Sequence, residues 1–288
     1  MEFTEYTTVT GIIYLAGILL LGNWLLKTSF GRNALADSAL RPNRMPAYLP
    51  FIPLFIWLGA VTVLITATQK LLPDLSDSQK AMVDNCIFAT AAAAITIIIV
   101  FLAKATFLQG LKGFGLNVRT IHKDLFAGLL NLLAVWPVLT VVFALTVQFG
   151  KLIWGPEFEM QQHQELELIT TYSQIPLRII IAVTAIVVAP LFEEMLFRGL
   201  FQTMFRSFLE RLPFWQRVQN KTLTAWLAIA VSSALFAVVH YEPSHWPTLF
   251  VLSMAIGYSY EKSGSLFRPI LMHSLFNTAS IIMVLYGI

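Results

Sequence analysis

Ala189-Pro190-Leu191-Phe192-Glu193-Glu194-Met195-Leu196-Phe197-Arg198 lies near the middle of an apolar segment that runs from Arg178 to Arg206. Two acids and a base at that place require an explanation. A hydrophobic stretch of this length reads as a bilayer-crossing helix, and an ionisable side chain at membrane depth persists only where a partner or a function compensates its desolvation. Working outward from it, 57% of the 288 residues are hydrophobic and only 12% are charged, too little polar surface to solvate a globule of this size. Stretches of about 20 apolar residues recur along nearly the whole chain. Spans are expected near 8–26, 47–69, 85–107, 124–149, 175–205, 223–241, 246–260 and 267–287, an all-α polytopic transmembrane helical bundle of about eight spans.

The first apolar segment, Val9 to Leu26, follows Glu2 and Glu5 rather than a basic stretch and lacks a small-residue cleavage pattern, so it reads as a permanent span. Cys86 is the only cysteine, which excludes an intrachain disulfide and a cysteine-based metal cluster. The connections alternate in charge. Lys27, Arg32, Arg41 and Arg44 follow the first span, Lys112, Arg119 and Lys123 the third, Arg206, Arg211, Arg217 and Lys221 the fifth, and Lys262 and Arg268 the seventh. The intervening loops are poor in base. By the positive-inside rule the basic loops are cytoplasmic and both termini lie on the opposite face. The net charge of +3 is thereby a topology signal, and nucleic acid is not an expected partner. No internal repeat stands out, so the inverted-repeat pattern of many secondary transporters is missing.

Within the opening stretch, adjacent glutamates on a helix point about 100° apart and cannot serve one purpose equally. Glu194 and Arg198 stand at i and i+4, so they are expected to pair, which leaves Glu193 as the free carboxylate. Pro190 removes a backbone donor just ahead of the pair, and a kink is expected there. The competing reading is one inert ion-pair cluster.

Three further places carry polar side chains. Phe236 stands one turn before His240 at the far end of the sixth span; a lone histidine there is also readily a hydrogen-bonded structural residue. His273 and Asn277, at i and i+4 in the last span, share one helical stripe and can present two donors to one small volume, as an oxyanion site requires. An interhelical hydrogen bond from Asn277 is the alternative. Glu242 and His245, beside Pro243 and Pro247, are expected at the solvated interface and matter only if their loop folds inward. The polar segment from Glu157 to Thr171 is expected to form a short surface helix with a solvated face.

The order of these motifs, Glu193-Glu194 with Arg198, Phe236 with His240, and His273 with Asn277, resembles the CAAX-protease and bacteriocin-processing (Abi) family of intramembrane endopeptidases. Ala189-Pro190, Arg198-Gly199 and Ser263-Gly264-Ser265-Leu266 look like that family too. The resemblance covers roughly Ile175 to Ile288 and implies a catalytic membrane core over 175–288, with the helices of 1–150 left without an assigned role. It implies that Glu193 activates water, that His240 is its partner, that His273 and Asn277 stabilise the oxyanion, and that Glu194 and Arg198 support the glutamate helix. The expected substrate is a membrane-associated protein or peptide, and the expected location an integral, prokaryotic plasma membrane. A metal-free mechanism is preferred; the alternative has Glu193, His240 and His273 as three ligands to Zn²⁺ or another divalent metal. The rivals from other classes are a non-enzymatic immunity or scaffold protein and a proton-coupled transporter. One difficulty is depth: His240 falls near the non-cytoplasmic end of its span and His273 only a turn or two from the cytoplasmic end. Their meeting requires a strongly tilted span over 246–260 or a loop around Pro243 that dips into the membrane.

Overall fold

Polar punctuation sets the helix ends. The computed structural model describes residues 3–218, 220–240 and 242–287, and these form helices with no strand beyond an isolated bridge between Asn43 and Phe107. In chain order they are α1 (Phe3–Lys27), α2 (Phe51–Leu71), α3 (Asp77–Thr106), α4 (Gly110–Phe114), α5 (Ile121–Trp154), α6 (Gln164–Thr171) and α7 (Ile175–Val183). After α8 (Ala189–Glu194) follow α9 (Thr203–Arg211), α10 (Pro213–Val218), α11 (Lys221–Val238), α12 (Trp246–Ser263) and α13 (Phe267–Tyr286). Ser76 starts α3 with a capping box, its hydroxyl accepting from Gln79 N–H while the Gln79 side chain accepts from Ser76 N–H. Gly264 ends α12 at φ +71°, a left-handed conformation that suits glycine.

Seven stretches among the described residues are long and apolar enough to cross a membrane: Thr10–Lys27, Phe51–Leu71, Asp77–Thr106, Val118–Trp154, Ile175–Arg211, Lys221–Val238 and Phe267–Tyr286. The chain is an integral membrane protein. Of the eight expected spans, the one over 246–260 is present as α12 but falls outside that set. The reason is the polarity of its buried face. Ser253, Ser259, Tyr260 and Glu261 are all buried, and they bond respectively with Arg198, Asn131, the Phe114 carbonyl and Arg41. A helix enclosed by its neighbours does not need an apolar circumference.

The long segment 175–211 is not a uniform α-helix. Thr184–Val188 and Met195–Gln202 are π-helical, flanking α8 on both sides. Pro190 explains the first. Ala189 N–H reaches back five residues to the Thr184 carbonyl; the next carbonyl, Ala185, would be served by residue 190, which as proline has no N–H. Asn277 of α13 fills that role, its Nδ2 donating to Ala185 O at 2.7 Å. The second wide stretch is served in the same manner: Ser232 of α11 donates to the Phe197 carbonyl at 2.9 Å and Thr203 to the Arg198 carbonyl at 3.3 Å. Side-chain donors from outside the helix ladder thus hold the register that the expected kink required.

The core forms around this segment. Phe192 packs on Trp57 of α2 at 5.0 Å between ring centroids, Phe201 on Phe51 at 5.0 Å, and Phe197 on Phe236 of α11 at 5.2 Å. Ala92, Ile95, Ile99 and Ala103 of α3 belong to the same buried cluster. The early helices α2 and α3 are therefore a wall against which the glutamate segment is packed. At one end of α12 and α13, Arg268 bonds Asp124 of α5 at 2.6 Å and Leu266 N–H donates to the Gly115 carbonyl at 2.9 Å, which fixes where α13 begins.

Candidate active site

The two glutamates diverge as their helical offset demands. Glu194 is fully buried, forms an ion pair with Arg198 through Oε2, 3.0 Å from Nε, and accepts a hydrogen bond from His273 Nδ1 through Oε1 at 2.8 Å. Arg198 in turn donates from Nη2 to Ser253 Oγ at 3.0 Å and lays its guanidinium over the Phe236 ring, 4.7 Å from the centroid. Glu193 keeps 16% of its side-chain surface exposed. Its Oε2 has no hydrogen-bond partner among the described residues and stands 3.9 Å from His273 Nε2. Both nitrogens of His273 therefore face a carboxylate, one bonded and one at a distance.

Phe236 is the shared surface of the site. Its ring lies 4.6 Å from that of His240 and 5.7 Å from that of His273, with Arg198 over it. The two histidines meet through one aromatic side chain despite belonging to distant parts of their helices. The chain around Pro243 contributes. It forms a short 3₁₀ turn, Pro243–His245, and Trp246 Nε1 donates to the His240 carbonyl at 2.9 Å. His240 Nδ1 bonds the Phe236 carbonyl at 2.7 Å; since a carbonyl only accepts, Nδ1 carries the hydrogen and the Nε2 lone pair is left free.

Asn277 is placed one turn beyond His273, and one of its two amide hydrogens is engaged by Ala185 O. Its immediate partner is thus the glutamate segment rather than another site side chain. Among the described residues no group of three His, Cys, Asp or Glu side chains is placed to hold a metal ion.

Two side chains that sequence reasoning assigned to a solvated face join this group. His163, just before α6, pairs through Nδ1 with Glu165 and has its ring 6.2 Å from His240 and 5.9 Å from His245. His245 Nε2 bonds the Gln161 carbonyl at 2.8 Å, so the segment before α6 and the turn after His240 fold against each other. Behind them Ile169 is buried beside Leu177 and Ile181 and holds α6 down. The carboxylate beside it raises the His163 pKa, opposed by burial. For Glu165 burial pushes upward, but the His163 contact prevails and the net shift is downward. Burial lowers the His245 pKa, against the pull of the Gln161 carbonyl. The local sequence offered only a weak sign, a histidine two residues ahead of an acid at the start of a short helix.

Residues 175–279 match the family described as Type II CAAX prenyl endopeptidase Rce1-like. The match bears out the resemblance read from the motifs. The matched stretch runs from the start of α7 to two residues past Asn277, so it holds Glu193, Glu194, Arg198, Phe236, His240 and His273 as well, whereas His163 and Glu165 fall outside it. A curated relative from Escherichia coli, described as an uncharacterized 24.3 kDa protein, is 27% identical over 130 residues, covering 44% of this chain and 54% of the relative. The chain thus spans about half the length of that relative. No solved structure matches the chain.

Proposed function

We propose that this chain is an intramembrane endopeptidase that hydrolyses a peptide bond of a membrane-associated protein or peptide, with Glu193 as the base. The observation that supports this most is the division of labour between adjacent carboxylates. Glu194 is ion-paired with Arg198 through one oxygen and hydrogen-bonded to His273 through the other, while Glu193 has an oxygen without a hydrogen-bond partner, 3.9 Å from His273 Nε2. A carboxylate with no strong cation paired to it, held in an apolar wall, is suited to take a proton from water. The matched family points the same way.

In this reading Glu193 removes a proton from a water molecule as its oxygen attacks the scissile carbonyl. His240, with the Nε2 lone pair free, shares in orienting that water. Charge develops on the carbonyl oxygen and calls for donors. His273 Nε2, when protonated, and the second amide hydrogen of Asn277 fill that role, the first held by Glu194 and the second by Ala185 O. Glu194 and Arg198 act as support. No step calls on a metal. The alternation of basic and acidic loops supports both termini on the non-cytoplasmic face, which requires α12 to complete an eighth crossing.

The test compares membranes of cells carrying the native chain and Glu193→Gln. The variant should insert and fold as the native chain does and should accumulate an uncleaved membrane peptide that the native chain removes, with chelators leaving native cleavage intact. An unchanged peptide inventory with Glu193→Gln would refute the enzyme and leave a scaffold or immunity role.

A further inference from the structure

Hydrolysis of an amide needs a proton on the departing nitrogen as well as a base for water, and the matched stretch supplies mainly acceptors at its open side. Glu193 is a carboxylate, and His240 presents a lone pair at Nε2 because its Nδ1 hydrogen is tied to Phe236 O. His163 has the opposite disposition. Its Nδ1 is held by Glu165, so the protonated ring directs its remaining hydrogen from Nε2, and 41% of the side chain is open. The ring faces His240 and His245, and Glu193 lies within electrostatic reach of it. Glu165 comes from the start of α6, His240 from the end of α11, His245 from the 3₁₀ turn with Glu242 behind it, and Glu193 from α8. Glu165 and Glu193 both favour a cationic His163, against its burial.

We propose that His163, oriented by Glu165, is a catalytic residue that donates the proton to the leaving amine. The proposal rests on the reading of Glu193 as the base. Glu193 takes one proton from water while the oxygen forms its bond to the carbonyl carbon. The C–N bond then breaks, its electron pair stays on nitrogen, and nitrogen takes the Nε2 proton of His163. The proton now on Glu193 returns to His163 directly or through solvent as the acid product leaves, so both side chains recover their starting states. The segment before α6 is thereby part of the reaction centre and not a bystander at its rim.

The experiment uses the full chain in proteoliposomes with a mixture of internally quenched peptides carried on a single transmembrane anchor, and then the cleaved sequence remade with a thioester at the scissile bond. A thiolate leaves without a proton near neutral pH, so only the amide needs the donor. His163→Gln should slow amide cleavage by about a hundredfold or more and thioester cleavage by less than about threefold. Glu165→Gln, which keeps the ring but not its anchor, should show the same contrast in weaker form. Equal losses on amide and thioester, or an amide rate within about threefold of native while Glu193→Gln abolishes it, overturn the proposal and leave the base intact. Native protein that cleaves neither probe, or Glu193→Gln that cleaves both, removes the reading beneath it as well.

Discussion

Arg198→Met should be among the most damaging single substitutions in the protein, although methionine nearly conserves the volume of the buried stem. Arg198 is 1% exposed and Glu194 fully buried, with Nε and Oε2 3.0 Å apart. Removing the cation strands a carboxylate away from solvent, which for buried pairs costs about 3–5 kcal/mol. His273 still donates to the other oxygen at 2.8 Å and limits the loss to the lower half of that range. The contact of the guanidinium with Phe236 adds about 1 kcal/mol back to it. The expected total is about 4 kcal/mol. The double variant Arg198→Met with Glu194→Gln removes both charges and should be the more stable of the two variants, with a coupling of about 2 kcal/mol or more in a double-mutant cycle. Reversible unfolding in mixed micelles, followed by tryptophan fluorescence, measures all four corners. A loss under about 1 kcal/mol for Arg198→Met, or additive effects in the double variant, would show that the pair is hydrated in the membrane and refute the reasoning.

Gly199→Ala should destabilise by about 1–3 kcal/mol, because a Cβ there would come within 2.3 Å of the Phe114 ring, itself fully buried; Phe114→Leu should recover part of it in thermal unfolding. Asn277→Ala should cost about 1 kcal/mol and much less in a Pro190→Ala background, where residue 190 regains the N–H that serves Ala185 O; unfolding of the four proteins reads that coupling. The segment before α6 should be held best between the ordinary carboxylate and imidazole ranges. Glu165 has its pKa lowered by folding, so its contribution is lost as pH falls through the folded value; that of His163 is raised, so its contribution is lost as pH rises through the folded value. Hydrogen exchange across 155–165 should show this optimum, and Glu165→Gln should flatten it.

What could be read from the chain were features that one helix decides by itself. The spans follow from hydropathy, and the Glu194–Arg198 pair follows from spacing on a single helix. The site depends on features that several helices decide together. Pro190 announced a break in the ladder, but the π-helical register rests on hydroxyl and amide donors from Ser232 and Asn277, far away in sequence. The polarity of α12 looked like a short span because the partners of Ser253 and Glu261 lie on other elements. His163 and Glu165 stay partly open to solvent, as their polarity suggests, but nothing near them in sequence reveals that the turn at His245 folds over to meet them.

The eight residues Met195–Gln202 are consecutive and every one is buried. An ordinary membrane helix has a lipid side on which sequence drifts freely every third or fourth position, and that side lets a lineage adjust tilt and length by small steps. This stretch has no outside. A change at any of its positions must be answered by Phe114, Ser232, Ser253 or another neighbour, so variation can enter it only as matched pairs across helices. The carboxylates that precede it are thereby tied to a part of the molecule in which a substitution calls for a matching one on a neighbouring helix.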